Sequence, residues 1–137
     1  MIIDMRSNAF ILAFVCVFAA CGSEPVHTPS GAETFATHCA SCHGPRAEGD
    51  GPVAATLSVN VPNLRTLSQR NRGEFPTDAV ASYIDGRNFP TAHGTRNMPV
   101  WGPVFDTTGR LIAGGESSAQ RIQSVIDYLR TLQVTAN

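Results

Sequence analysis

The 137-residue chain contains no lysine, and its ten basic residues are all arginines set against eleven acidic residues. The net charge of −1 provides no basic excess for a nucleic-acid backbone, so nucleic acid is not expected as a partner. The sequence also lacks a nucleophile motif, a phosphate-binding glycine loop and a group of carboxylates suited to acid–base catalysis, so an enzyme is not expected. A chain of this length forms one globular unit.

The chain also lacks an apolar run long enough to cross a membrane, which needs about twenty residues. Its longest uncharged apolar stretch, residues 8–20, follows Arg6 and ends in small residues, which predicts an export signal over residues 1–20. Residues 18–21 resemble a bacterial lipobox, and this resemblance implies that Cys21 is lipidated. We expect residues 21–30 to form the lipid anchor and tether of a protein on the periplasmic side of a bacterial membrane, the alternative being a soluble periplasmic protein.

Few residues capable of binding a metal remain after the signal is removed. Of the four cysteines only Cys39 and Cys42 lie in the remaining domain, residues 31–137, and they form a C-x-x-C-H motif with His43. Two thiols at this spacing can each add to a vinyl group of haem, and the histidine that follows them can bind the iron. The motif therefore predicts one covalently attached haem c.

Three other roles for the cysteine pair are disfavoured. A thioredoxin-like redox pair does not require His43, and a disulfide across two intervening residues closes too small a loop to stabilise the fold much. A zinc site requires a second pair of ligands at similar spacing, which His38 and His93 do not supply.

The residues after the motif extend this interpretation. The segments Glu48-Gly-Asp-Gly-Pro52 and Met98-Pro-Val-Trp-Gly102 make the chain from about 31 to 132 resemble class I cytochromes c, in particular small bacterial haem domains. The resemblance implies an all-α fold in which about three to five helices and long Gly/Pro-rich loops surround one haem.

The sixth ligand of the iron is expected to be Met98, 55 positions after His43 and the only methionine left once the signal is removed. A single methionine is ordinarily core filler, but Pro99 and the matching segment of the family favour a ligand. His93 is the alternative, and it would give a lower reduction potential because a soft thioether favours Fe(II).

The resemblance also implies residues that support the ligands. The carbonyl of Pro62 is expected to accept a hydrogen bond from the His43 imidazole, which fixes the ring and raises its basicity. Trp101 is expected to donate its indole N–H to a haem propionate or to cover the haem edge. Four arginines are possible propionate partners, and the sequence does not choose among them: Arg65, Arg70, Arg72 and Arg96.

Capping and apolar periodicity predict three helices. Ser30 is expected to cap a helix running to about residue 40, and Ser117 with Gln120 to open the last helix with a capping box. A short helix is expected between Thr77, as its cap, and Gly86. The resemblance to class I cytochromes c implies that the first and last helices cross through Gly31, Phe35, Val125 and Tyr128. Residues 44–62 and 87–108, which are rich in glycine and proline, are predicted to be loops.

These observations favour a one-electron carrier between periplasmic or membrane-bound redox proteins of a respiratory chain. The expected partners are a dehydrogenase or the bc1 complex as donor and a terminal oxidase or reductase as acceptor, with the protein a monomer or a subunit of a complex. Two alternatives stay open: a haem enzyme or gas sensor with an open or displaceable sixth ligand, and a haem subunit of a larger oxidoreductase.

The small apolar core leads to a first prediction. With about a hundred ordered residues and many loops, the core needs the buried macrocycle for its stability, so protein made without haem attachment should be loose or unfolded. Circular dichroism of that protein should show little helix. Cooperative, native-like thermal melting of the haem-free protein would contradict the prediction.

Overall fold

The computed structural model describes residues 27–87, 98–111 and 115–134. The predicted signal over 1–20, Cys21 and most of the tether lie outside the described residues, as do His93 and Arg96. Within the described residues, no helix has the length and apolar character needed to cross a membrane.

The expected all-α fold is confirmed, since the described residues form helices and 3₁₀ turns without a β-strand. The structure describes six helices, more than the three to five expected, because two of those described are single turns of four residues. The helices are α1 Gly31–His38, α2 Ala40–His43, α3 Leu67–Arg70, α4 Thr77–Asp85, α5 Trp101–Leu111 and α6 Ser118–Thr131, with 3₁₀ turns at Ala54–Thr56 and Leu64–Thr66.

The predicted cap at Ser30 and the predicted capping box at Ser117 are confirmed, and Ser30 forms a capping box as well. The Ser30 hydroxyl accepts a hydrogen bond from the Glu33 backbone N–H, and the Glu33 carboxylate accepts one from the Ser30 N–H. Ser117 and Gln120 make the same reciprocal pair at the start of α6. Each box satisfies backbone donors that the first turn of a helix leaves without a partner, so these two starts are set locally.

The predicted cap of α4 is wrong, although its end at Gly86 is confirmed by a left-handed conformation. Thr77 is the first helical residue, and Pro76 occupies the cap position without a side-chain hydrogen bond. The Thr77 hydroxyl donates to the Phe75 carbonyl and accepts a hydrogen bond from Arg130 of α6, so a tertiary contact occupies the group expected to cap.

The loop predicted over 87–108 is wrong from Trp101 onward, where α5 begins. Pro103 lies in the first turn, where the missing N–H costs the helix no hydrogen bond. Gly102 and Gly109 lie within this helix without breaking it. A Cβ on Gly102 would overlap the Asp85 carboxylate, and a Cβ on Gly109 would overlap the Glu116 carbonyl oxygen. These glycines allow close packing of α5 against its neighbours, which residue composition alone did not reveal.

The core forms where α1 and α6 cross, as the family resemblance implied. Gly31 lies against the backbone of Ser124, and a Cβ on Gly31 would overlap the Ser124 carbonyl oxygen. The Phe35 and Tyr128 rings pack with their centroids 5.5 Å apart. Helices α4 and α5 also pack against α6. The buried apolar residues are Phe35, Ala47, Ile84, Phe105, Ile122, Val125, Ile126 and Leu129.

We predict that Gly31→Val destabilises the haem-containing protein by about 1 to 3 kcal/mol, because the added side chain must push the two helix backbones apart. Ala32→Val is the matched control: Ala32 is exposed on the same helix, and valine should cost there no more than its lower helix propensity, about 0.6 kcal/mol. Urea unfolding of both variants measures the difference. Equal unfolding free energies would show that the close helix crossing contributes little.

Candidate functional site

One pocket of about 340 Å³ lies beside the α1–α6 crossing. Its lining residues come from α1 with Cys39, from α2, from the segment between Pro62 and Arg70, from α4 and from α6, together with Met98. The lining is almost entirely apolar except for Cys39, His43 and Arg70. The lining residues are Phe35, Cys39, His43, Pro62, Leu64, Leu67, Arg70, Val80, Tyr83, Ile84, Met98, Val125 and Leu129.

The C-x-x-C-H motif occupies the single turn α2 and the residue before it. Cys39 ends α1 and its N–H still donates to Phe35 O at 2.9 Å, so the first thiol is attached to a helix that is packed in the core. The carbonyls of residues 41–43 then accept hydrogen bonds from backbone N–H groups of the following loop, namely those of Val53, Gly51 and Gly49. A turn of four residues is too short to be stable by itself, so this returning loop holds it.

Two glycines make the returning loop possible. Gly51 lies so close to α2 that a Cβ would overlap the carbonyl groups of Ser41 and Cys42. Gly44 ends the turn with φ +79°, a conformation that L side chains rarely adopt, and it packs against the Asp50 carboxylate. The segment Glu48 to Pro52, noted in the sequence for its resemblance alone, therefore packs against the turn that carries the C-x-x-C-H motif.

The His43 side chain is oriented by Pro62. Its Nδ1 lies 3.4 Å from the Pro62 carbonyl oxygen, which can only accept a hydrogen bond, so the proton belongs on Nδ1 and Nε2 keeps its lone pair. Burial lowers the pKa of His43, while the hydrogen bond to Pro62 acts in the opposite direction. A neutral imidazole with a free Nε2 is the form that binds a metal.

The two thiols are free in the structure and are not paired in a disulfide. Burial, together with the neighbouring Cys42, raises the pKa of Cys39 to about 12, so this thiol stays protonated at neutral pH.

The structure brings Met98 to the pocket and places Trp101 elsewhere. Met98 lines the pocket and packs against the core. The Trp101 ring stacks on Phe105 at 5.8 Å and lies 5.1 Å from the His38 ring, outside the set of residues that line the pocket. A contact of Trp101 with haem stays a prediction.

The predicted propionate arginines have different environments. Arg65 is engaged: its Nη1 lies 2.6 Å from Glu48, and its Nε donates to Leu132 O at 3.4 Å. Arg72 is exposed and outside the pocket. Arg70 lines the pocket, and its guanidinium donates to the backbone carbonyls of Asn63 and Thr66.

Several pocket residues were not identified from the sequence. Leu64 and Leu67 belong to short helical turns, and the periodicity of such short segments is too brief to detect. Tyr83 of α4 lines the pocket although it is 55% exposed. Leu129 is one of several buried apolar residues of α6, and apolar periodicity does not indicate which of them line the pocket.

We predict that Glu48→Gln lowers the stability of the haem-containing protein at pH 7 and that the loss disappears in acid. Hydrogen bonds from Arg46 and Arg65 hold the pKa of Glu48 below 4.5 in the folded state. The stabilisation is therefore complete above the unfolded-state pKa and is lost as the pH falls through the lower folded-state pKa. Urea unfolding of the wild type and of Glu48→Gln, at a series of pH values from 7 downward, measures the difference in their unfolding free energies.

Glu74→Gln is the control, because Glu74 is exposed and makes no ion pair with any residue that the structure describes. It should leave the stability near the wild-type value across the series. A Glu48→Gln loss that is the same at pH 7 and in acid would contradict the role assigned to the ionised carboxylate.

Comparison with known proteins identifies the family of the chain. The family model for cytochrome c matches residues 29–133 of the 137. Searches of curated proteins and of solved structures gave no match. The matched segment spans well over half of the sequence and contains the C-x-x-C-H motif, the pocket and all six helices, and the chain belongs to the cytochrome c family.

Proposed function

We propose that this protein is a one-electron carrier in which Cys39 and Cys42 anchor the haem and His43 and Met98 bind its iron. Cytochromes c carry covalent haem c, typically one per domain, and transfer electrons through it. The assignment of these residues is supported by one observation above all: Met98, 55 positions after His43, lines the same apolar pocket as Cys39 and His43.

The pocket residues fit such a group by their chemistry. A haem c requires an apolar cavity, thiols for its vinyl groups and soft or imidazole donors for its iron. The pocket offers leucine, valine and phenylalanine side chains, a protonated Cys39 thiol and a neutral His43 imidazole. No aspartate or glutamate is among its lining residues in the part of the chain that the structure describes.

When bound, the haem supplies a reversible one-electron change at its iron. Pro62 keeps the His43 imidazole in a single orientation and increases its basicity by accepting the Nδ1–H. The Met98 thioether favours the reduced iron. The side chains of Phe35, Val125 and Leu129 keep water from this face, which disfavours the more positive oxidised state.

Two axial ligands from the protein would leave no coordination position for a substrate. This is the physical reason for proposing a carrier, because an electron can pass through an accessible edge of the cofactor without any bond to the iron.

The proposal places the carrier on the periplasmic side of a bacterial membrane. Cytochrome c domains are usually extracytoplasmic, and residues 1–20 have the pattern of an export signal. Lipidation of Cys21 would hold the domain at the membrane through the tether. A dehydrogenase or the bc1 complex is the proposed donor, and a terminal oxidase or reductase the acceptor.

We predict that the mature protein has a low-spin visible spectrum with the weak red band of a sulfur–iron(III) bond. The Met98→Ala variant should lose this band, because alanine has no donor atom, and its reduced form should bind CO. The wild-type reduced protein should not bind CO. Visible spectra of the oxidised and reduced proteins, with and without CO, measure all three.

Val80→Ala is the matched control, since Val80 lines the same pocket but carries no donor atom. It should keep the red band and remain indifferent to CO. If the wild-type protein is high-spin or binds CO, the proposal of an electron carrier is wrong and a haem enzyme or gas sensor with an open site is favoured. If Met98→Ala leaves the spectrum unchanged, another residue such as His93 is the sixth ligand.

A further inference from the structure

The exposed side of α5 is apolar, although the outward side of a surface helix is normally polar. Its exposed apolar positions recur every three or four residues, so they form one continuous stripe along the helix. Leu111, at the end of the stripe, is 82% exposed. The stripe, the α5 face, consists of Val100, Pro103, Val104, Thr107 and Leu111.

The α5 face contains no charged residue, and the charges beside it are unequal. Asp106 is half-buried and pairs with Arg87 at 2.7 Å, so its charge is compensated. Arg110 is exposed between Thr107 and Leu111 and forms no ion pair with a carboxylate that the structure describes. The uncompensated charge next to the apolar stripe is therefore positive.

The threonine hydroxyls on this side of α5 are satisfied within the helix. Thr107 donates to the Pro103 carbonyl and Thr108 to the Val104 carbonyl, both at 2.9 Å. The hydroxyl hydrogens are thus not available to a partner protein, whose interface usually needs about one hydrogen bond per 100 to 200 Å². Internal hydrogen bonds of this kind suit contact with hydrocarbon, where an unsatisfied polar group is costly.

The size of the α5 face also favours a lipid surface over a protein. A specific protein interface involves about 20 to 30 residues on each side. The α5 face has five residues, which is too few for a stable contact with a second copy or another protein. An amphipathic helix needs no complementary shape to lie on a bilayer, and a cation beside its apolar side attracts anionic headgroups.

We propose that the α5 face rests on the bilayer, with its apolar side chains at the boundary between headgroups and acyl chains and Arg110 at anionic headgroups. The inference rests on the proposed function, because the lipid on Cys21 brings the domain to the membrane. It goes beyond the anchor by assigning the side of the domain that faces the bilayer.

The proposed anchor supplies proximity and leaves the orientation open. The chain from Cys21 to His27, the first described residue, spans at most about 20 Å. A domain of about a hundred residues has a radius of gyration of about 13 Å, so a tether of this length lets the domain turn. Because the anchor makes the second contact intramolecular, a face too weak to bind a vesicle by itself is sufficient to orient the domain.

Contact at α5 does not use the pocket. None of the five residues of the α5 face is among the residues that line it. The opposite side of the helix is held by the core, where Phe105 is buried and stacks on Trp101. A domain that rests on α5 therefore keeps one orientation at the membrane without occupying the pocket lining.

The test places a nitroxide spin label on the mature, lipidated haem protein in vesicles of phosphatidylethanolamine and phosphatidylglycerol. Thr107→Cys provides the label site, and it is the only free thiol expected because Cys21, Cys39 and Cys42 carry lipid or haem. We expect the label to lie about 5 to 10 Å within the headgroup–acyl boundary. Its collisions with a water-soluble nickel complex should fall several-fold, while collisions with oxygen rise because oxygen concentrates in hydrocarbon.

Ala55→Cys is the control site, since Ala55 is exposed on the 3₁₀ turn that follows the C-x-x-C-H motif. Its label should remain accessible to the nickel complex. The two collision partners also distinguish lipid from protein at position 107. Protein cover, from a second copy or from another segment of this chain, lowers collisions with both reagents. That result, or a label at 107 as accessible to nickel as the label at 55, would overturn the proposal.

Two pairs of surface substitutions, made in the Thr107→Cys protein, test the contributions separately. Val104→Gln should restore access of nickel to the label several-fold, whereas Val53→Gln should not, although the two valines are 43% and 39% exposed. Arg110→Gln should weaken the shielding in vesicles with phosphatidylglycerol, whereas Arg72→Gln removes the charge of an exposed arginine elsewhere and should have no effect. Equal effects within each pair would contradict a contact at α5.

The visible spectrum and the retention of protein on the vesicles separate this inference from the proposed function. If the labelled protein keeps its low-spin spectrum and stays with the vesicles while the label at 107 remains in water, only the contact at α5 is refuted. If the protein leaves the vesicles, the anchor at Cys21 fails together with the contact. A wild type without the low-spin spectrum overturns the carrier, whatever the label shows.

Discussion

The close crossing of α1 and α6 is the contact on which the rest of the structure depends. The missing side chain of Gly31 lets its helix reach the Ser124 backbone, and Phe35 and Tyr128 then pack beside the crossing. The same approach places Phe35 and Cys39 of one helix and Val125 and Leu129 of the other on a single pocket wall. A contact between the two ends of the domain therefore determines where the first thiol of the motif lies.

A second set of contacts holds the histidine of the motif. The turn α2 has only four residues, and its carbonyls accept hydrogen bonds from the backbone of the loop that follows. That loop continues to Pro62, whose carbonyl accepts from His43, while the Glu48–Arg65 ion pair joins its beginning to the segment after Pro62. His43 is thus held mainly by hydrogen bonds to main-chain groups, which tolerate many different side chains.

Local signals in the sequence were sufficient to predict a helix start wherever the side chains of its own first turn provide the cap. Ser30 with Glu33 and Ser117 with Gln120 satisfy their own first turns, and Gly86 ends α4 by its left-handed conformation. The prediction of a loop at α5 failed, because contacts with neighbouring segments determine the conformation there. The helix α5 contains Gly102 and Gly109 because Asp85 and Glu116 approach closely, and from composition alone these glycines indicate a loop.

The sequence by itself determined the covalent chemistry open to the protein, since it places two thiols and a histidine at the spacing for covalent haem, and it determined a helical fold with two capped helix starts. These properties depend on residue type and short spacing, which are local. Only the tertiary structure decided which distant residues share the pocket, that Trp101 stacks on Phe105, and that Arg65 is engaged by Glu48 while Arg70 faces the pocket. Those outcomes depend on packing between residues far apart in the chain, and a linear pattern does not contain such distances.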